Sequence, residues 1–488
     1  MKNFKRIFCL ALCVFMLATA VTGVASAEEA TGAAPFRLSV TVNGDTATSR
    51  GFCWYTAEEA ATKIEFDGMD ESFYKVSDVV CEEWDGNYMH KLVVSELKKG
   101  TTYTYRVGDG TNWSEWGTFT TDDGDNKVSF INIADVQASN LENFQVGATT
   151  LTEAFKKLPG ADFVSNCGDF TNDSTNEEWN YYDEAFGAMN KNFTIVPVAG
   201  NHDGLGVEYW FNNMFALDTT ESVQIKDGVN YSFDYGNAHF AVLNTNDILA
   251  ISNAQLEWLK NDMKSTDKDW KIVFMHKSPY TLGKDGKWPD ALYLQDCLPG
   301  VMAECNVDMV FSGHDHQYLR TKPLTNGQID ANGTTWVLSG TAGTKRYEVR
   351  PFLAGHFMNT DHIANLVIQK DGYGNYWDGF SWENTTERNI GYCFETVEID
   401  GGTLTLKTYI VNEKTGMTNI VDEIDFTKKT GENKITFEGD NTTSEMDYTL
   451  NIVPSFFNLA KYAIGTWLPE FFAMLPELLY SVIVYDTF

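Results

Sequence analysis

The sequence predicts an α/β layered domain preceded by a small all-β sandwich, and three observations carry that prediction. Between about Phe36 and Thr121, apolar and polar residues alternate with the two-residue period of half-buried strands. From Val128 onward, apolar strand segments alternate with helical segments, as in layered α/β domains. Most of those later strands run into a cluster of Gly, Asp, Asn or His, where open α/β sheets gather their ligands.

The chain starts with Lys2, Lys5 and Arg6, an apolar run from Ile7 to about Ala20, and the small residues Ala25-Ser26-Ala27. That three-part layout is a secretory signal, residues 1–27, with an apolar run short for a membrane span. Cys13 is not a lipidation site, because Leu12 stands where a small residue should precede it. Export of a bacterial type follows, to the cell envelope or the medium. About 460 residues remain, too many for one core. The formal charge of −32 repels nucleic acid and anionic lipid at long range, which argues against a nucleic-acid binder. It leaves phosphate chemistry open, because bound metal ions can dominate a local field.

The first domain, residues 33–122, reads as a sandwich of immunoglobulin or fibronectin type. Phe36 to Val42 and Thr102 to Val107 alternate cleanly, with turns at Asn43-Gly44 and Gly108-Asp109-Gly110. Its expected role is a spacer or a wall of a cleft. Cys53 and Cys81, and separately Cys297 and Cys305, are the local candidates for disulfides.

The second domain, residues 126–428, is read strand by strand. Val128–Ile133 runs into Ala134-Asp135. A helix around Val146 to Lys157 follows, then a strand from Asp162 to Asn166 leading to Gly168-Asp169. A helix around Glu177 to Met189 precedes Phe193–Ala199, which delivers Gly200-Asn201-His202-Asp203. Trp270–Met275 delivers His276, Val307–Phe311 delivers Gly313-His314-Asp315-His316, and Thr335–Leu338 leads into Ser339-Gly340. Gly391 to Phe426 returns to β alternation and closes the domain.

Asp135, Asp169, Asn201, His276, His314 and His316 thus stand at five strand ends. Carboxylate and amide oxygens mixed with imidazoles suit Mn, Fe or Zn in five- or six-coordinate sites, not a four-thiolate structural zinc. Taken as Asp135-x-Gln137, Gly168-Asp169-x-x-Asn172, Gly200-Asn201-His202-Asp203, His276 and Gly313-His314-Asp315-His316, the motifs occur in the order of the calcineurin-like metallophosphoesterases. With the preceding sandwich and Asn230 to Asn237, the chain resembles the purple acid phosphatase-like branch from about Phe36 to Phe426.

The resemblance implies a four-layer α/β/β/α sandwich and two metal ions of Fe, Mn or Zn type. It implies that Asp169 bridges them, that Asp135, Gln137 and His316 hold the first, and that Asn201, His276 and His314 hold the second. Substrate contact falls to Asn172 and His202, with His202 the catalytic donor to the leaving group. The implied reaction is hydrolysis of a small phosphate monoester by a metal-activated hydroxide. Nucleotides and phosphodiesters are the alternative substrates.

Two departures matter. Asn172 stands where purple acid phosphatases have a tyrosine ligand, so a charge-transfer colour is not expected. Gln137 stands where the wider family has histidine, so the first ion should be held more loosely, or be Mn or Fe(II) rather than Zn. A reading of a different class, a cell-surface binding protein with a degenerate metal site, rests on Gln137 alone. Lys284 and Lys287 read as solvated loop charges, and His90 and His239 as structural. His356 and His362 lie beyond the motifs, in a stretch that could reach the cleft, and Cys167 reads as packing. The extension from 429 to 488 is strongly apolar after Val453, but Pro469, Pro476, Glu470 and Glu477 make it a poor membrane span. Packing or self-association is the favoured use of this extension, with shallow membrane contact the alternative.

Overall fold

The computed structural model describes residues 33–204, 210–223, 229–246, 250–283, 285–287, 289–347, 362–367, 380–381, 390–428, 435–436 and 451–452. The signal segment, Lys284, His356 and the apolar tail from Val453 lie outside the described residues, as does the side chain of Lys287. Among the described residues, no helix is long and apolar enough to cross a membrane.

The small sandwich is built from β1 (Phe36–Thr41), β2 (Arg50–Thr56), β3 (Lys63–Phe66), β4 (Lys75–Trp84), β5 (Asn87–Ser95), β6 (Thr102–Gly108) and β7 (Gly117–Thr120). One layer is β1-β2-β5-β4 and the other β3-β6-β7. Its core holds Phe52, Trp54, Phe66, Tyr103, Tyr105 and Phe119, the inward positions of the alternating strands.

β1 forms where the alternation predicts it, yet its polar face does not meet water. Arg37, Ser39 and Thr41 are all buried. The Arg37 guanidinium donates to the backbone and side chain of Asn176 and to Asn180. Ser39 donates to the Met214 carbonyl at 2.9 Å and Thr41 to the Ala216 carbonyl at 2.6 Å. The strand is therefore sandwiched between its own core and the second domain. The first domain is consequently no mere spacer, because β1 pairs in parallel with β10 of the second domain at Thr41 and Ile195.

The second domain adds β8 (Lys127–Ile133), α1 (Leu141–Lys157), β9 (Phe163–Asn166), α2 (Asn176–Asn190) and β10 (Ile195–Pro197). Thr175 and Glu178 form a capping box that starts α2. Then come β11 (Tyr231–Tyr235), β12 (Ala238–Val242), α3 (Asn253–Ser265), β13 (Trp270–Phe274), α4 (Pro289–Cys305), β14 (Met309–Ser312), β15 (Tyr318–Thr321), β16 (Thr335–Ser339) and β17 (Ile363–Val367). The closing strands are β18 (Gly391–Asp400), β19 (Thr403–Asn412), β20 (Thr418–Lys428) and β21 (Ile435–Thr436).

These form two facing sheets. The first runs β21-β20-β19-β18-β8-β9-β10 and continues into β1-β2-β5-β4; the second runs β11-β12-β13-β14-β16-β15-β17. Phenylalanines interlock the sheets. Phe130 stacks on Phe163 at 5.0 Å and meets Phe240, Phe274 and Phe311 edge-on at 5.8, 5.6 and 5.7 Å. Such pairs add about 0.5–1.5 kcal/mol each beyond the area they bury. α1 and α2 cover the outer face of the first sheet. α3 and α4 cover the second, packing Leu259, Met263, Leu298 and Met302 on Val273 and Val310. The expected four layers are present.

All six cysteines of the described residues are free. Strand β5 lies between β2 and β4, so Cys53 and Cys81 stand roughly 9–10 Å apart, beyond disulfide reach. Cys297 and Cys305 are eight residues apart on α4, roughly 12 Å along its axis. Neither proposed pair is formed.

Candidate metal centre

The C-terminal ends of the two sheets open side by side, and the predicted residues converge there. β8, β9 and β10 deliver Asp135, Gln137, Asp169, Asn201 and His202; β13 and β14 deliver His276, His314 and His316. Their donor atoms fall into two groups that share one residue. Asp169, His276 and His314 form one group, and Asp135, Asp169 and His316 the other, each within 4.8 Å. Asn201 joins the first, its Oδ1 lying 2.9 Å from His276 Nε2.

The loops that hold these residues are left-handed where few side chains allow it. Asp135, Gln137, Asp169, His314 and His316 all have positive φ, between 36° and 80°. Backbone of this kind persists only where the surroundings over-determine it. Asp203 is one such anchor. Its buried carboxylate accepts the N–H groups of Asp169, Phe170 and Gly200 at 2.8–2.9 Å, tying two loops together. Gly200 permits the approach, since a Cβ there would sit 2.2 Å from Asp169 Oδ1.

Backbone carbonyls set the direction of each ring. His276 Nδ1 bonds the Cys167 carbonyl at 2.8 Å, and His316 Nδ1 bonds that of Lys345, so both turn Nε2 toward the cluster. His202 Nδ1 bonds the Asn172 carbonyl at 2.5 Å, and the His202 backbone N–H donates to Asp169 Oδ1 at 2.9 Å. The Asn172 side chain, expected at the substrate, donates one N–H to Asp173 at 2.9 Å, and its backbone carbonyl holds His202.

The donor set fits metal ions, and the buried polar atoms say so. Both amide atoms of Gln137 and the Nε2 of His316 are buried without a hydrogen-bond partner. His276 Nε2 and His314 Nδ1 face each other at 3.2 Å. Native proteins leave few buried polar atoms unpaired, and a bound ion would satisfy such atoms. Burial opposes charge on His276, but Asp169 and Asp135 prevail and push it up to about 9. Burial would also raise Asp169, yet His276, His202 and His314 hold its carboxylate below the ordinary range. Burial holds His316 down at about 3 and His314 well below the ordinary histidine range.

Cys167 is fully buried, and burial pushes its thiol well above normal, as expected of packing. His90 stacks on Trp54 at 5.2 Å between Thr56 and Thr62. His362 belongs to neither donor group; its carbonyl accepts the Lys322 N–H. Sequence reasoning did not assign the roles of Asp203 or of the three carbonyls. The Gly200-Asn201-His202-Asp203 motif carries a signal for Asp203, but backbone acceptors leave none.

Two facing sheets with such a donor set at their shared edge define a metallophosphoesterase. The calcineurin-like phosphoesterase family matches residues 129–318, and the purple acid phosphatase N-terminal domain matches residues 35–121. Purple acid phosphatase 22 of Arabidopsis thaliana is 22% identical over 320 residues, covering 62% of this chain and 70% of that protein. Purple acid phosphatase 21 of the same plant is 23% identical over 277 residues, covering 54% of this chain and 60% of that protein. Among solved structures, a purple acid phosphatase from yellow lupin (Lupinus luteus) seeds superposes with a TM-score of 0.61 at 16% identity, covering 81% of this chain and 74% of that one. The structure of PhoD superposes with a TM-score of 0.57 at 12% identity, covering 86% of this chain and 94% of that one, so the fold is shared. The chain thus carries a calcineurin-like phosphoesterase domain preceded by a purple acid phosphatase N-terminal domain.

Proposed function

We propose that this protein is an exported phosphatase that hydrolyses small phosphate monoesters at a pair of metal ions. The observation that carries the reading is the pair of donor groups sharing Asp169. When bound, two ions supply an acidified water as nucleophile and neutralise charge on the phosphate oxygens. Asp135, Gln137 and His316 would hold one ion and Asn201, His276 and His314 the other, with Asp169 between them. His202 donates its Nδ1 hydrogen to the Asn172 carbonyl, so the proton for the leaving group would be carried on Nε2 by the doubly protonated ring. A proton or hydrogen bond delivered there is worth about 10²–10⁴-fold. Export is supported by Lys2, Lys5, Arg6, the apolar run and Ala25-Ser26-Ala27.

The test is metal analysis of the purified mature protein, with an aryl phosphate and an aryl phosphodiester assayed on the same sample. Two ions per chain, monoester hydrolysis, and loss of that hydrolysis in Asp169→Asn are expected. Faster cleavage of the diester would move the substrate class to nucleotides or diesters. No bound metal and no hydrolysis after Mn, Fe or Zn is supplied would sink the enzyme reading.

A further inference from the structure

The turn that follows β16, residues 340–347, closes on the backbone and ring of the residues assigned to the first ion. Thr341 is completely buried, and its hydroxyl donates to the Asp135 carbonyl at 2.7 Å. The Ala342 N–H donates to the Ala134 carbonyl at 2.8 Å. Gly343 packs on the backbone between Asp135 and Gln137, where a Cβ would sit 2.1 Å from the Val136 carbonyl oxygen. The Lys345 carbonyl bonds His316 Nδ1, and the Tyr347 ring stacks on the His316 imidazole, with centroids 4.2 Å apart and planes 21° apart.

The turn is itself anchored to the closing strands. The Cys393 N–H of β18 donates to the Thr341 carbonyl at 2.7 Å. Arg346 pairs with Glu413, and its guanidinium carbon lies 5.5 Å from the centre of the Tyr392 ring. The second donor group is held from elsewhere, His276 by the Cys167 carbonyl and the loops of Asp169 and Gly200 by Asp203.

We infer that Tyr347 is a positioning residue for the first ion, its ring and the Lys345 carbonyl together holding His316 in the orientation that binds metal. The two restraints stop different motions. A hydrogen bond at Nδ1 fixes one direction in the plane of the imidazole but lets the ring rock about the line of that bond. A flat partner against its face blocks the rocking. His316 also stands at φ 48°, a backbone state that persists only under outside restraint. It is the single imidazole of its donor group, whereas the other group has two, so its misplacement costs the first ion more. Partners that orient a metal-binding histidine are worth about 10–100-fold in metal affinity. The inference rests on the two-ion reading of the site.

The experiment loads the full mature chain with Mn²⁺ and follows its loss to a chelator by timed dialysis and elemental analysis. Tyr347→Ala should lose one of two ions about tenfold or more faster, with the rate of the other unchanged. Tyr347→Phe keeps the ring and should retain both ions as wild type does. In a His316→Ala background, Tyr347→Ala should add no further loss. If Tyr347→Ala fails to fold, Thr341→Val gives the second readout. It conserves volume, removes the bond to the Asp135 carbonyl, and should speed the loss of the same single ion. Equal acceleration of both ions, wild-type retention in the folded variants, or a Tyr347→Phe chain that behaves as Tyr347→Ala would each overturn the inference alone. A wild-type chain that takes up no Mn²⁺ would overturn the metal-centre reading and this inference with it.

Discussion

His202 and Asn172 are joined by a 2.5 Å hydrogen bond from the ring Nδ1 to the backbone carbonyl. That one contact places a hydrogen on Nδ1 and fixes the ring, so a donor role requires a second proton on Nε2. Asn172 is held in turn, its N–H bonded to the Ala138 carbonyl at 3.1 Å. His202→Ala is expected to lower kcat by about 10²–10⁴-fold for alkyl phosphates at unchanged metal content. Aryl phosphates, whose leaving groups need less help, should lose less. Equal losses for both classes would deny His202 its role as donor.

Gln137 is the unusual member of the cluster, because both its amide atoms are buried without partners. Its replacement by leucine should raise the Tm of the metal-free chain, since an unmade buried hydrogen bond costs about 1–3 kcal/mol. The same change should speed the loss of one of the two ions to a chelator. Timed dialysis against chelator with elemental analysis reads this directly. Retention of both ions at the wild-type rate would remove Gln137 from the ligand set.

His239 sits between Asp234 and Asp262, at 2.7 and 2.8 Å. Burial works against its charge, but the two carboxylates prevail and raise it to about 9. Its folded value therefore exceeds the unfolded value of about 6.5. The stabilisation is complete below pH 6.5 and is lost as pH rises through about 9. Thermal melts across that window should show a fall in Tm that is smaller in His239→Gln. An identical pH profile in the variant would refute the assignment.

Arg320 and Asp422 form a fully buried bidentate pair, with contacts of 2.7 and 3.1 Å, and Tyr318 adds a third at 2.7 Å. Arg320→Met leaves the carboxylate uncompensated and should cost about 3–5 kcal/mol in denaturant unfolding. A loss under about 1 kcal/mol, the worth of a surface pair, would contradict that burial.

Much of the site was legible because metal ligands at strand ends are side chains in ordered motifs. Asp135, Asp169, Asn201, His276, His314 and His316 were readable for that reason, and the structure brings all six together. The carbonyls of Cys167, Asn172 and Lys345 were not, since every residue type carries the same acceptor. The bond from the Asn172 side-chain amide to Asp173 is equally unannounced, since a side-chain amide accepts several partners.

The sequence by itself determined the order of elements, the inward faces of strands such as β6, and the donor set, because periodicity and residue chemistry are local. Only tertiary structure decided what covers the other face of β1. Arg37, Ser39 and Thr41 alternate like solvent-facing residues, yet they bond α2 and the carbonyls of Met214 and Ala216. Thr41 pairs with Ile195, so two domains share one eleven-stranded sheet. A strand's period shows that its faces differ, but not whether water or protein lies against each of them.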